Sequence, residues 1–550
     1  MLPVIRVGQA RVTAGLDHTP RLDLPSHRAV FGFPPTLAAA ELIGICEEVD
    51  LRGRGGAAFP VARKLRAVLT AAVQAKTGQG KRRAAVVVNC TEGEPGSAKD
   101  KILLARAPHL VLDGALVAAS ALRASEIVVA VAGDGPHLRS LTDAVGSDSA
   151  LARKVRVVSV PDRFVSGESG ALVNAINGNP ALPPGTKTRA SDSGVHGMPT
   201  LLSNAETFAQ LAVLALLGPA GFASVGTGHE PGTVLLTVGG SVSAPAVVET
   251  PSGVPLGYIL DICGAQLPRA VLVGGYHGMW LHPDAAYDAP VSRAGMAAAG
   301  GTLGAGVVLV LGQDTCPLGE VTRVAGYLAM QSSGQCGPCK LGLPAVARSL
   351  AAITAGAGGV DELEALRRAA GGVRGRGACH HPDGASNFVA SALEVFADDL
   401  IEHIFHGSCG RPASGILPLP ADGGDTRLTV DWTRCRGHGL CARLIPELVE
   451  LDQHGYPRLL EAPVPFWLSK NATQAVDMCP SLALSLTADQ VKPAAAAAVS
   501  AAADPPSPLA VRARQQPQAV LTGRAWRRAD LDAAEAWLAE IGGPGPARPL

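Results

Sequence analysis

Three things are missing from this 550-residue chain. It has no excess charge of either sign. Its 47 Lys and Arg balance 47 Asp and Glu, so neither a nucleic-acid backbone nor an anionic membrane surface meets a complementary field. It has no long apolar run either. Stretches such as LAVLALLG from Leu211 stop well short of the ~20 residues that a spanning helix requires, and the N-terminus MLPVIRVGQARV lacks the charged-then-apolar pattern of a signal peptide. Nor is there a dense disulfide framework. Eleven cysteines spread over a chain of this length read as metal ligands or buried thiols of a reducing compartment. The expectation is a cytoplasmic protein that handles small molecules and protein partners, with docking on a membrane partner left open. A hydrophobic content of 47% can fill several cores, and the length suggests roughly three or four domains.

What is present begins with LRGRGGAAFPVARK from Leu51. Gly53, Gly55 and Gly56 let the backbone turn tightly against a ligand, and Pro60 suits the first turn of a helix whose N-terminus attracts an anion. Arg52, Arg54 and Lys64 add positive charge, so a nucleotide or flavin phosphate is the natural guest; the same residues also read as an ordinary tight turn. A second stretch, VVVNCTEGEPGSAKDK from Val86, runs an apolar strand into Asn89, Glu92, Gly93 and Glu94, a polar rim suited to a flavin ring or a ribose. A third, SGESGALVNAINGNPALPP, starts at Ser166, and a fourth, HGMPTLLSNAETFAQL, at His196.

The strands AAVVVNC, EIVVAVAG and VRVVSV alternate with Ala/Leu-rich helical stretches such as KILLARAPHLVLDGALVAASAL, which predicts a mainly parallel sheet covered by helices. From about residue 230 short strands and turns take over, and from about 317 to 405 apolar residues recur at helical spacing. Residues 1 to about 40 read as mostly irregular. A Pro/Gly/Asp linker, GRPASGILPLPADGGD, separates these regions from a compact unit. The Ala/Pro-rich end carries one amphipathic helix, RRADLDAAEAWLAEIG.

The order and spacing of the four motifs resemble the NADH-binding flavoprotein subunit of respiratory complex I (NADH-quinone oxidoreductase), together with its relatives in NAD-linked hydrogenases and formate dehydrogenases, over about residues 20 to 410. The resemblance implies an α/β architecture. It predicts a Rossmann-like FMN and NAD(P)-binding domain at 1–228, a β-grasp (SLBB-like) module at 229–303 and a helical iron-sulfur domain at 304–410. A linker at 411–425, a small α+β ferredoxin domain at 426–490 and a flexible tail at 491–550 complete the expected layout. By the same resemblance Gly53, Arg54, Gly55, Gly56, Lys64, Asn89, Glu92, Gly93, Gly167, Glu168, Ser203, Asn204 and Thr207 hold FMN. Phe59 and Glu94 face the nicotinamide nucleotide, with Glu94 the catalytic candidate. Thr91 and Ser203 depart from the family, which has an acidic residue and an asparagine there.

Six cysteines fall into two groups. Cys336, Cys339 and Cys379 match three of the four family ligands of a 4Fe-4S cluster, with Ser333 in place of the first. A serine oxygen is a harder ligand than thiolate, so this site is expected to be weaker or to lose one iron. Zinc held by the three thiolates and His380 or His381 also satisfies the spacing. Cys435, His438, Cys441 and Cys479-Pro480 resemble a single-cluster ferredoxin whose second cysteine is replaced. The expectation is a 3Fe-4S cluster, or a 4Fe-4S cluster with His438 as fourth ligand, and His438 lying free in the loop remains open. Cys46, Cys90, Cys263, Cys316 and Cys409 stand alone and read as small core residues.

The expected activity is that of an NAD(P)H dehydrogenase. Hydride passes from nicotinamide to FMN, and single electrons pass through the first cluster to the ferredoxin and on to a haem monooxygenase, a reductase or a complex subunit. An electron-relay subunit that has lost nucleotide oxidation is the alternative, and a zinc-stabilised scaffold without redox activity is a third reading. Ser169 stands where the family has a carboxylate beside the adenosine ribose. Arg189, with Lys187 nearby, replaces an adenine-lining Phe, and Ala67 replaces another aromatic. This set predicts that NADPH is accepted at least as well as NADH.

Overall fold

The computed structural model describes residues 1–74, 84–185, 188–420, 426–446, 448–459, 464 and 468–488; Lys187 and the expected tail helix lie outside the described residues. After β1 (Val4–Arg6) come β2 (Ala85–Cys90), β3 (Glu126–Ala132), β4 (Val155–Val160) and β5 (Thr200–Asn204). Strands β2 to β5 form a parallel sheet in the order β4-β3-β2-β5. Val86, Val88, Ile127 and Val129 are buried on one face, and Ala85, Val87, Val128 and Ala130 on the other. Burial on both faces is why these strands are continuous apolar runs rather than alternating ones. The sheet has one strand more than the three named from sequence, because TLLSN of the fourth motif is β5.

The apolar stretch after the second motif is two helices, Lys99–Arg106 and Pro108–Leu122, set at 95°. Pro108 lacks an N–H and drives Ala107 out of helical geometry, to φ −135 and ψ 49. Against Pro108–Leu122 packs Ala205–Phe222. Among the described residues this single helix is long and apolar enough to cross a membrane by itself, yet 61% of it is buried inside the protein.

Strands β6 (Thr233–Gly240), β7 (Ala246–Pro251), β8 (Ala270–Val273), β9 (Met279–Leu281) and β10 (Val307–Leu311) join β1 in a second sheet, ordered β1-β7-β6-β10-β8-β9. β6 and β7 are an antiparallel hairpin; β10 runs parallel to β6 and antiparallel to β8. Two expectations shift here. The N-terminus is not wholly irregular, since Val4 pairs with Val247 in a parallel ladder. In addition, β10, expected beyond a boundary at 304, lies between β6 and β8 in the interior of this sheet. The buried Glu249 of β7 ties the first segment down, accepting from the amides of Arg11, Val12 and Thr13 at 2.9 Å each.

The helices Pro317–Met330, Leu343–Thr354, Val360–Val373, His381–Val395 and Ala397–His406 follow as the apolar spacing predicts. A π-helical turn at Pro338–Gly342 interrupts them. The segment after them is not a free linker. Glu320 accepts from the amides of Gly415 at 2.6 Å and Leu417 at 3.0 Å, Leu417 is fully buried, and Tyr276 donates its hydroxyl to the Pro418 carbonyl at 2.5 Å. Proline and glycine content alone does not reveal such stitching. Beyond it, β11 (Thr426–Val430) pairs with β14 (Leu484–Ala488), and β12 (Val449–Leu451) with β13 (Pro457–Leu459). The helices Leu440–Leu444 and Ser469–Asp477 accompany them, and this part keeps its own core of Leu428, Ile445, Val449, Leu468 and Ala472.

Candidate functional site

The Gly-rich turn leads directly into the helix Val61–Gln74, with Pro60 just ahead of its first residue. Gly56 has φ +107, a conformation that side chains rarely adopt, and a Cβ on Gly55 would press on Asn204 at 3.1 Å. Among the described residues, the amides of Gly55, Gly56 and Ala57 have no hydrogen-bond partner. They are turn amides free to donate to an anion. The three cations expected to supply charge point elsewhere. Arg52 pairs with Asp50 at 2.7 Å, and Arg54 donates to the Thr233 carbonyl at 3.1 Å and lies 4.0 Å from Glu206. Lys64, its pKa lowered by burial, donates to the Leu202 carbonyl at 3.0 Å. Thr207 accepts from the Arg54 amide at 2.9 Å and so braces the turn.

At the carboxyl ends of β2 and β5 the second, third and fourth motifs meet. Asn89 donates to the Gly167 carbonyl at 2.9 Å and accepts from the Thr91 amide at 3.0 Å. A Cβ on Gly167 would lie 2.9 Å from the Thr91 hydroxyl, and one on Gly93 would lie 2.6 Å from the Arg163 carbonyl. These glycines therefore hold loops together rather than leaving space. The Glu92 carboxylate is turned inward. It accepts from the amides of Asp100 at 3.0 Å and Lys101 at 3.1 Å, thereby capping Lys99–Arg106, and from the Ser97 hydroxyl. Burial, then Asp100, raise its pKa. Asn204 caps Ala205–Phe222 by accepting from the Glu206 amide at 3.0 Å, and it also bonds Asp100.

Sequence reading missed the group beneath these residues. Lys99, only 1% exposed, pairs with Asp100 at 2.9 Å and Glu206 at 3.0 Å. Burial opposes its charge, but the surrounding carboxylates hold its pKa above the ordinary value. The signal was available in GSAKDK, where an adjacent Lys-Asp pair follows an apolar strand. Ser203 is buried on β5.

Glu94 accepts from the Tyr276 amide at 2.9 Å through Oε2, while its Oε1 is sealed from solvent with no partner. Burial pushes its pKa up to about 8, which favours the protonated carboxyl, a form with a hydrogen to donate. Ser166 Oγ, in the third motif, is likewise buried and unpartnered. Two buried polar atoms without partners and a row of free amides, all on the flavin motifs, are what a bound polar ring and its phosphate would satisfy.

An aromatic cluster joins residues far apart in the chain. The Phe164 ring lies 4.7 Å from His277 and 5.5 Å from His381, and 6.1 Å from Tyr327. His381 Nε2 donates to the Leu328 carbonyl at 2.8 Å, which leaves Nδ1 to accept from His277 Nε2 at 3.0 Å. With both nitrogens engaged, His381 is no zinc ligand; His380 is fully exposed and faces Asp383. Two residues before His381 is Cys379, whose pKa is raised by burial and also by charges that include Glu168 of the third motif.

Cys336 and Cys339 enter the π turn together, and Ser333, 4% exposed, bonds the Cys339 thiol. Burial pushes Cys339 up to about 12. Around Cys336 the amides of Ala378 and Cys339 outweigh burial and lower its pKa. The structure thus brings Ser333, Cys336, Cys339 and Cys379 to one place.

The second group lines an opening of about 370 Å³, partly solvent, between Cys435, His438, Cys441 and Cys479. His438 faces this opening and its Nδ1 lies 3.3 Å from the Ser481 hydroxyl. Cys479 Sγ accepts from the Ala483 amide at 3.3 Å. Of the nucleotide candidates, Phe59 is 43% exposed with Arg63 over its ring at 5.6 Å. Ser169 opens the helix Ser169–Ile176 and donates to Glu168 at 3.1 Å, and Arg189 is exposed.

Comparison with known proteins agrees in extent with these regions. Residues 46–213 match the Nuo51 FMN-binding domain, 320–403 the NADH-ubiquinone oxidoreductase-F iron-sulfur binding region, and 428–486 a 4Fe-4S single cluster domain. The chain is 30% identical over 401 residues to the F subunit of NADH-quinone oxidoreductase from Streptomyces coelicolor, covering 70% of this chain and 88% of that one. It is 25% identical to the NADP-reducing hydrogenase subunit HndC of Solidesulfovibrio fructosivorans, over 75% of this chain and 84% of HndC. A crystal structure of NAD+-reducing [NiFe]-hydrogenase in the air-oxidized state superposes with TM-score 0.64 and 27% identity over 74% of this chain and 68% of that one. From the strand ends that carry the flavin motifs to the clustered cysteines beside them, the chain belongs to the family of NADH-quinone oxidoreductase F subunits.

Proposed function

We propose that this protein oxidises reduced nicotinamide nucleotide beside Glu94 and delivers electrons singly to a partner through its own ferredoxin part. The observation that carries this is the contact between modules: Phe164, just ahead of the third motif, packs on His277 and on His381, two residues after Cys379. FMN, when bound, supplies the conversion between a two-electron hydride and single electrons. The amides of Gly55 to Ala57 bind its phosphate, and Gly93 and Gly167 fix the loops that frame its ring. Glu94 holds a proton at Oε1, and Lys99, with Glu92 and Asn204, keeps these loops in place from below. Ser333, Cys336, Cys339 and Cys379 form one cluster site, and Cys435, Cys441 and Cys479, with His438 alongside, form the other. Hydride oxidation rather than relay alone is supported by the buried, unpartnered Glu94 Oε1 and Ser166 Oγ on the flavin motifs.

The six-stranded sheet, a hairpin followed by the helix Leu256–Ile262 and closed by β10 parallel to β6, supports the β-grasp (SLBB-like) reading of the middle module. Its boundary then falls after Leu311 rather than at 304. A redox protein partner fits the exposed Trp432, Tyr456, Met478 and Leu482 in the ferredoxin part, and we place the protein in the cytoplasm, held at a membrane only through such a partner. The test is the absorbance of anaerobically purified protein before and after NADH or NADPH. Flavin bands that bleach support this function; cluster absorbance without bleaching would leave a relay, and a colourless protein a scaffold.

A further inference from the structure

Two cysteines that stand alone in the sequence do not stand alone in the fold. Cys316, His403 and Cys409 each offer a donor atom, and the three donors lie within 4.8 Å of one another. Cys316 Sγ is 3.3 Å from His403 Nε2. Zinc bonds of about 2.3 Å to sulfur and 2.0 Å to nitrogen at tetrahedral angles place the two donors about 3.5 Å apart, so little movement separates this arrangement from a coordinated one.

The backbone brings the three together without help from their side chains. Cys316 precedes the helix Pro317–Met330, and its sulfur accepts from the Gly319 amide at 3.2 Å. His403 lies in the last turn of Ala397–His406, which ends at Gly407 with φ +79, turning the chain toward Cys409. The returning chain is pinned alongside, with the Cys316 amide donating to the Pro412 carbonyl at 2.8 Å and the Ser414 amide to the Thr315 hydroxyl at 3.1 Å. Gly319 permits this approach, since a Cβ there would lie 2.7 Å from that of Ala413. Cys316 and His403 are 3% exposed, and Cys409 is half-buried.

We propose that Cys316, His403 and Cys409 bind a zinc ion, separate from both iron-sulfur sites. Two thiolates cancel the charge of Zn²⁺, so the buried site is neutral, and thiolate with imidazole is a donor set that zinc favours. The nearby Asp399 carboxylate does not compete, because Arg269 and Arg411 already hold it. Water completes the shell from the Cys409 side. The ion fastens the exit of the helical region to the start of the helix that leads toward Cys336.

The full-length protein, purified anaerobically with flavin and iron bound, is loaded with zinc chloride, freed of excess, and its metals are counted by mass spectrometry. About one zinc per chain is expected. Cys409→Ser and His403→Gln each lose it while iron and flavin content stay unchanged. Absence of zinc from the wild type overturns the proposal, as does zinc undiminished in both variants or a Cys316–Cys409 disulfide in the purified chain. A second measurement needs no variant. Zinc-edge X-ray absorption of the wild type should show sulfur neighbours at about 2.3 Å and nitrogen or oxygen neighbours at about 2.0 Å, and a shell without sulfur overturns the assignment.

Discussion

The two proposed cluster sites offer the same kind of ligands, one thiol buried and two half-buried in each, but their surroundings differ. In the first, Cys339 is fully buried, Ser333 is 4% exposed, and Cys379 stands two residues before His381, whose ring packs with Phe164 and His277 from other modules. Cys435, Cys441 and Cys479 instead line an opening with solvent access, in a part that has its own small core and exposes Trp432, Tyr456, Met478 and Leu482. The first site is thus joined to the part that carries the flavin motifs, whereas the second is presented outward. An inner station must keep fixed neighbours on both sides, and an outer one must reach a partner. In each, one position departs from four thiolates, Ser333 inside and His438 outside.

The largest effect should come from breaking the inner setting. His381→Ala removes a buried ring with both nitrogens bonded, which should destabilise the protein by about 3 kcal/mol. Ser481→Ala, which only removes the half-exposed partner of His438, should stay within about 0.5 kcal/mol. Urea unfolding of the full chain measures both, and equal effects would mean that the settings do not differ as described.

Completing the thiolate sets comes next. Ser333→Cys and His438→Cys should each favour a stable 4Fe-4S form, gaining about one iron per chain where the native site holds three. Iron content and the electron spin resonance spectrum report each site separately. A change at 438 but none at 333 would place Ser333 outside the coordination sphere, despite its bond to Cys339.

How much of this was legible from sequence depended on whether a residue's role follows from its backbone. Strands β2 and β3 were readable because two-sided burial demands uninterrupted Val and Ala. The glycines of the first motif were readable because their use is conformational. Arg52, Arg54 and Lys64 were assigned to a phosphate because their charge is visible in sequence and their direction is not; each turns out to have a partner within the protein. The segment after 410 was taken for a linker on composition, since nothing local reveals that Glu320 will hold it. Cys316 and Cys409 were set aside as core residues because only the fold joins them through His403.

The smallest effect concerns the nucleotide. Ser169→Glu restores a carboxylate where a 2′-phosphate would sit, and should cut kcat/KM for NADPH relative to NADH by about tenfold, or 1.4 kcal/mol. Arg189→Phe should favour NADH by the roughly 0.5 to 1.5 kcal/mol of an aromatic contact. An NADH preference that neither variant alters would mean that these exposed positions do not touch the nucleotide.

The anchoring of the first segment by Glu249 has a consequence for the order of folding. β1 emerges early in synthesis, but its pairing partner β7 and the carboxylate that gathers the amides of Arg11, Val12 and Thr13 are made only when nearly half the chain is complete. Such distant pairing is slow, because the loop must close before any contact rewards it. Until then Glu249 stands at a sheet edge without those three amides, held only by the Thr233 hydroxyl of its own hairpin. Its burial is therefore a late step, and a slow refolding phase lengthened by Thr13→Val would be its kinetic trace.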